Sequence, residues 1–325
     1  MINFISAITG LILALIATFC YAIGFVLQKM GLLQGLPKLQ FDSGIKTTIK
    51  SFLKFFENKT WLLGLTLGII GWVPYMIAIS LVGVVVVQPI TGVGLIVSLI
   101  ASHILLKEKI ALLEVISAGL LMIAPVLITF AEVTDVYINL HEFLFPFLFY
   151  FAISIISSLI CFLIAKKMVE NERVEAVFLT LTGVILNANA IIFTNIMSQA
   201  ISDANINLFS WFGWAEILFG IFWFDYYHLW AFISLWGLGI FFLIGFIFYQ
   251  SGFQKGKAST MYLIINSLSI IIPIIVGIFI FNQRFKYITL FLIALAIIIF
   301  ADMNLSKYQA EIEKIETKQK KREIN

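Results

Sequence analysis

Charge is what this sequence has least of. Asp, Glu, Lys and Arg together make up 12% of its 325 residues, about half of the ~25% that a soluble domain carries. With 61% apolar residues and a strongly positive mean hydropathy, a soluble globular chain is excluded. Cysteine is nearly absent as well. Cys20 and Cys161 each lie in the middle of an apolar run, which excludes a disulfide framework and a thiolate metal pair. Inside the apolar runs ionisable groups are almost missing, although such groups in a membrane are the usual pointer to function. Glu114 and Asp302 fall about a turn or less from a membrane surface, and His103 one turn before Lys107. No HExxH pair, Ser-His-Asp set, GxGxxG turn or phosphate-binding glycine loop is present. These absences argue against an ATP-driven pump and an intramembrane protease, and the chain is read as a non-enzyme without a cofactor. The net charge of +3 resides in loops and tail and gives no reason to expect a nucleic-acid partner.

What is present is a series of long apolar runs with short charged punctuation, the pattern of an all-α polytopic membrane protein. Nine runs qualify as spans, at about 4–27, 61–82, 84–106, 111–131, 143–165, 176–200, 229–249, 258–281 and 286–302. The first is too long for a signal peptide and lacks a small-residue cleavage site, so it is read as a retained helix. Lys and Arg set the orientation. With the 28–60 loop inside, the inner segments collect Lys29, Lys38, Lys46, Lys50, Lys54, Lys59, Lys107, Lys109, Lys166, Lys167, Arg173, Lys255, Lys257 and the basic tail. The outer side receives only Arg284 and Lys286. The N-terminus is therefore expected outside and the C-terminus inside, in a multi-pass protein of the cell membrane.

Three stretches between or beyond the spans stand out. In the 28–60 loop, Ile45, Ile49, Phe52, Leu53 and Phe56 recur at helical spacing opposite Lys46, Lys50 and Lys54. That describes a basic amphipathic helix on an anionic inner leaflet, where each Lys near anionic lipid gains ~1 kcal/mol. The 201–228 loop crowds Trp211, Trp214 and Trp223 around Glu216 and Asp225, as an outer interfacial helix would. Residues 303–325 interleave Glu and Lys in a solvated tail.

Neutral polar stripes carry the functional reading. In the sixth span Thr180, Asn187, Thr194 and Ser198 align, with Asn195 and Gln199 at the edge of the arc and Asn189 roughly opposite. The third span presents Gln88, Thr91, Ser98 and Ser102. The eighth presents Tyr262, Asn266, Ser269, Pro273 and Gly277, and the second Gly64, Gly68, Gly71 and Tyr75. The first adds Gly10, Tyr21, Gly24 and Gln28. Lipid cannot satisfy amides, so the stripes must meet one another, either as interhelical glue or as a pathway. The expected pathway residues are Tyr75, Gln88, Asn187, Thr194, Asn195, Gln199, Tyr262 and Asn266, around one central cavity. Asn189 is expected to touch another helix instead.

These residues bring a family into view. Phe19 to Gln34 (FCYAIGFVLQKMGLLQ), Trp61-Leu62-Leu63-Gly64 with Gly71, and Gln88-Pro89-Ile90 with a run ending at Leu106-Lys107-Glu108 resemble the NIPA-type magnesium transporters. These belong to the EamA branch of the drug/metabolite transporter (DMT) superfamily. LTGVILNANAIIFTNIMSQAI and YQSGFQKGKASTMYLIINSLSIIIPIIVGIFIFNQRF extend the resemblance through the second half. The resemblance implies a four-plus-five inverted repeat: residues 1–131, then 132–302, with 303–325 as a cytoplasmic tail. It also implies a first repeat that lacks its second helix, with the 28–60 loop in that helix's place. The implied function is secondary transport by alternating access of magnesium or another small cation. A DMT-type carrier of a small neutral or zwitterionic metabolite and a non-transporting membrane scaffold stay open as alternatives, as does a homo-oligomer. The family often carries an acidic residue after the glycine of the second span, where this chain reads Gly71-Trp72-Val73. Only amides, hydroxyls, carbonyls and retained water would then hold a magnesium ion.

Overall fold

In the computed structural model the described residues are 4–33, 35–37, 45–94, 96–97, 100, 112–132, 137–255, 258–301 and 303–304. They are overwhelmingly helical. The helices are α1 (Phe4–Leu33), α2 (Ile45–Leu53), α3 (Lys59–Val82), α4 (Val84–Gly92), α5 (Leu112–Phe130), α6 (Leu144–Lys167), α7 (Glu172–Asp203), α8 (Trp211–Leu218), α9 (Tyr226–Lys255), α10 (Ala258–Phe279) and α11 (Ile288–Ala301). Among the described residues, α1, α3, α6, α7 and α9 are long and apolar enough to cross a membrane. The molecule is a polytopic membrane protein. Local chemistry explains where several helices begin and stop. Asn58 and Asn171 cap α3 and α7 by accepting from Trp61 N and Val174 N, at 2.9 and 3.4 Å. Gly83 separates α3 from α4 at a φ of +83° and ψ of 155°, a conformation open essentially to glycine alone.

Packing is closest in two antiparallel pairs. Along α1 and α3, a Cβ built on Gly24 would lie 2.6 Å from Gly64 O, and one on Gly71 would lie 2.7 Å from Cys20 Cβ and 3.2 Å from Ala17 O. Along α7 and α9, a Cβ on Gly245 would lie 2.7 Å from Gly183 O, and one on Gly252 would lie 2.7 Å from Ala176 O. Lipid gives helices no hydrophobic reason to associate, so such backbone approach, with its dispersion contacts, holds them together. The spacing repeats: Ala17 and Gly24 face Gly71 and Gly64 as Ala176 and Gly183 face Gly252 and Gly245.

α2 is nine residues long, which at ~1.5 Å per residue is less than half of a ~30 Å hydrocarbon core. Lys46 and Lys50 are exposed, as is Ile49, whereas Phe52 and Phe55 are buried against Trp61 and Phe246. The segment is thus pinned to protein by two rings, in addition to any lipid contact of its outer side. In the 201–228 loop, Ser210 caps α8 through Gly213 N, and Trp211 and Phe224 are exposed. The C-terminal end of α5 and the N-terminal end of α11 are clasped by main-chain bonds from Lys286 N to Glu132 O (2.9 Å) and Tyr287 N to Ala131 O (3.1 Å). The tail beyond residue 304 lies outside the described residues.

Candidate functional site

The site is built where two proline-bearing helices meet. Pro273 in α10 has no N–H, so the carbonyl four residues back, Ser269 O, loses its intrahelical donor. Gln88 of α4 supplies one: its Nε2 donates to Ser269 O at 2.7 Å, while its Oε1 accepts from the Tyr75 hydroxyl at 2.7 Å. Gln88 and Tyr75 are both buried. A single amide therefore ties α3 and α4 to α10, and both its ends are satisfied as hydrocarbon demands. Tyr21 of α1 stands edge-on to Tyr75, with ring centroids 5.8 Å apart.

A second connection runs along the seam of α3 and α7. Trp72 Nε1 donates to Thr194 Oγ1 at 3.2 Å, and one turn further along Ser198 Oγ donates to Met76 O at 2.8 Å. Towards the C-terminal ends of both helices they part around a cavity of about 370 Å³, whose walls include Met76, Ile77, Ser80, Ser198, Ser202 and Asn205.

The expected pathway residues are distributed over these contacts. Tyr75 and Gln88 are bonded to each other, and Thr194 joins Trp72. Asn195 is buried, and its Nδ2 has no hydrogen-bond partner among the described residues. Asn187 is half-buried, with its backbone against Gly245. Gln199 sits further along α7. Its Oε1 accepts from Ile138 N (3.2 Å) and its Nε2 donates to Asp203 Oδ1 (2.9 Å), which ties α7 to the segment between α5 and α6, away from the Tyr75–Gln88 pair. Asn189, on the other side of α7, donates to Ser154 Oγ of α6 at 2.7 Å. The side chains of Tyr262 and Asn266 lie outside the described residues, as do His103, Ser98, Ser102 and Lys107 to Lys109.

Sequence alone marks Gln283 as no more than part of a polar stop. It is fully buried in the notch between α3 and α4: its Oε1 accepts from Val85 N at 3.1 Å, and a Cβ on Gly83 would lie 2.9 Å from that oxygen. The signal available is a glycine before four valines, opposite an uncharged residue in an otherwise charged boundary. Trp72 is likewise a partner that the stripes do not reveal, and Ser269, a stripe member, takes part through its main-chain carbonyl rather than its hydroxyl. The freed carbonyl at Ser269 follows directly from the proline four residues later.

Among the described residues no group of three or more His, Cys, Asp or Glu side chains comes together that could hold a metal ion. What the site offers is hydroxyls, amides and main-chain carbonyls at the contact of the chain's first and second halves.

Fold and site together define a multi-pass membrane protein with a buried neutral polar core between its halves. A family profile described as magnesium transporter NIPA matches residues 5–224, and the chain belongs to that family. Two relatives from Arabidopsis thaliana show the similarity at residue level. "Probable magnesium transporter NIPA9" is 41% identical over 96 residues, 30% of this chain and 26% of the relative. "Probable magnesium transporter NIPA4" is 25% identical over 116 residues, 36% of this chain and 32% of the relative. The matched segments thus span about a quarter to a third of these relatives' length. No solved structure matches.

Proposed function

We propose that the protein is a secondary transporter for a small cation, magnesium first, and that it works by alternating access between its two halves. The observation that carries this reading is the Tyr75–Gln88–Ser269 connection, a neutral polar bridge between halves at a carbonyl that a proline leaves without its helical donor. Family membership and the names of the two Arabidopsis relatives support the choice of magnesium. The acidic outer loops would raise the local cation concentration. A neutral or zwitterionic metabolite is the second reading, favoured by a bridge with no carboxylate in it.

The repeated glycine contacts support a revised pairing of the repeats. α1 with α3 corresponds to α7 with α9, so α6 is the unmatched helix, and the first repeat lacks its first helix rather than its second. In the charge-derived orientation α1 and α7 run in opposite directions, as inversion requires, whereas α1 and α6 run the same way. Inverted halves of this kind rock about a site at their contact.

The test is uptake into proteoliposomes, with magnesium set against a metabolite panel, on the wild type and two variants. Asn187→Leu is expected to abolish uptake while keeping its melting temperature. Asn189→Leu, which removes the buried bond to Ser154 Oγ, is expected to lower the melting temperature more than the uptake per folded molecule. A destabilised Asn187→Leu with normal uptake per folded molecule would remove Asn187 from the pathway. Uptake of a metabolite but not magnesium would decide for the second reading.

A further inference from the structure

The cavity between α3 and α7 has a composition that selects a particular form of ligand. It opens beyond the Ser198–Met76 bond, at the end of both helices that the charge distribution places outside. None of its lining residues is charged. Two of its three hydroxyl protons are already committed: Ser80 Oγ donates to Ile77 O at 2.8 Å and Ser198 Oγ donates to Met76 O at 2.8 Å. Each of those oxygens therefore keeps its lone pairs for an incoming donor, and Ser202 and Asn205 add further oxygen acceptors. Waters bound to a cation are donors only, so these four polar side chains suit them. Met76, Ile77, Ile201, Ile206 and Leu208 fill the rest of the lining without competing. At ~30 Å³ per liquid water, the 370 Å³ cavity has room for about a dozen waters. An octahedral cation with its six waters needs about half of that space. Nothing in the lining competes with water for a hard divalent ion, which sheds its shell reluctantly and prefers carboxylate when it does.

We propose that this cavity is the outer binding site for the transported cation, and that it takes the ion with its inner water shell intact. Recognition is by hydrogen bonds from the ion's waters to the oxygens of Ser80, Ser198, Ser202 and Asn205. The Ser198–Met76 and Trp72–Thr194 bonds form the floor that closes this site from the polar bridge below. This rests on the cation reading proposed above, and it adds the ion's hydration state and place of arrest.

The experiment uses the full-length protein with Cys20 and Cys161 replaced by Ala and one reporter cysteine, Ser202→Cys or, should that variant misfold, Asn205→Cys. Labelling by a membrane-impermeant thiol reagent is timed in buffer, with magnesium chloride, and with hexaamminecobalt(III), whose six ligands do not exchange. Phe209→Cys, at a position 91% exposed, serves as the control for non-specific screening. Both ions are expected to slow labelling at position 202 at least fivefold while leaving position 209 unchanged, and hexaamminecobalt(III) is expected to inhibit magnesium uptake competitively. Protection by magnesium but not by hexaamminecobalt(III) would show that the ion sheds water here and would overturn the proposal while the transport reading stands. Magnesium uptake without protection by either ion would place the site elsewhere and overturn it too. Absence of both uptake and protection would bring down the cation reading itself.

Discussion

At the scale of single residues, the bond between Gln88 and Ser269 O exists because Pro273 has vacated that carbonyl. Replacing Gln88 by Leu would strand Ser269 O and the Tyr75 hydroxyl, each at a cost of about 1–3 kcal/mol. In a Pro273→Ala background the restored N–H at position 273 can serve Ser269 O within its own helix. The cost of Gln88→Leu is therefore expected to shrink by about 1 kcal/mol there, and a double-mutant cycle on thermal stability measures it. Equal costs in both backgrounds would mean that the proline and the glutamine are unrelated. The sequence shows the polar stripes of α3, α4 and α7 plainly, because a period of 3.6 survives without any knowledge of neighbours. It does not show which stripes touch. Gln199 shares the arc of Thr194 and Asn195, yet it lies far enough along α7 to meet the segment between α5 and α6 at Ile138. Rise along the axis is invisible to a helical wheel.

At the scale of elements, glycines divide into those that a neighbouring backbone requires and those that it does not. Gly245→Ala would drive a methyl into Gly183 O, and prying α7 from α9 is expected to cost about 1–3 kcal/mol. Gly239, in the same helix, meets nothing within 4 Å among the described residues, so Gly239→Ala is expected to be neutral or to stabilise by up to about 1 kcal/mol. Melting temperatures of the two purified variants check the contrast. The start of α9 carries a pH dependence. Asp225 accepts from Tyr227 N, His228 N and the His228 ring at 2.8–3.2 Å, and the His228 bond above all holds its carboxyl below the ordinary value. A carboxyl depressed in the folded state contributes its stability above the unfolded pKa of ~3.9 and loses it as pH falls through the lower folded value. Tryptophan fluorescence of the loop is expected to hold from pH 7 to about 4 and change below. In His228→Ala the change is expected to begin at higher pH. The caps Asn58 and Asn171 act on nitrogens only three residues away. The docking of Phe52 and Phe55 onto Trp61 and Phe246 was not legible in the sequence, because an apolar face reads alike whether lipid or protein covers it.

At the scale of the whole molecule, membrane class and family were readable from composition and motif order, since both survive without contacts. The proposed pairing of the halves rests on which glycines face which carbonyls, and sequence order carries no record of those contacts. The pairing of α1 with α7 is expected to put Ser6 outside and Arg173 inside. Single cysteines at these positions, labelled from one face of intact cells, test it, and reaction of both from the same face would end the inversion. The glycine-lined pairs also bear on how the protein comes apart. Their cohesion is backbone against backbone, with little charge for salt to screen and little apolar surface for detergent to compete for. The α3–α7 seam has no such backing beyond one indole and one hydroxyl bond. Mild heating in detergent should therefore open the α3–α7 seam before either glycine-lined pair, with helical circular dichroism unchanged. The first loosening of the fold is then confined to a line a few side chains long, and denaturation would have to start there.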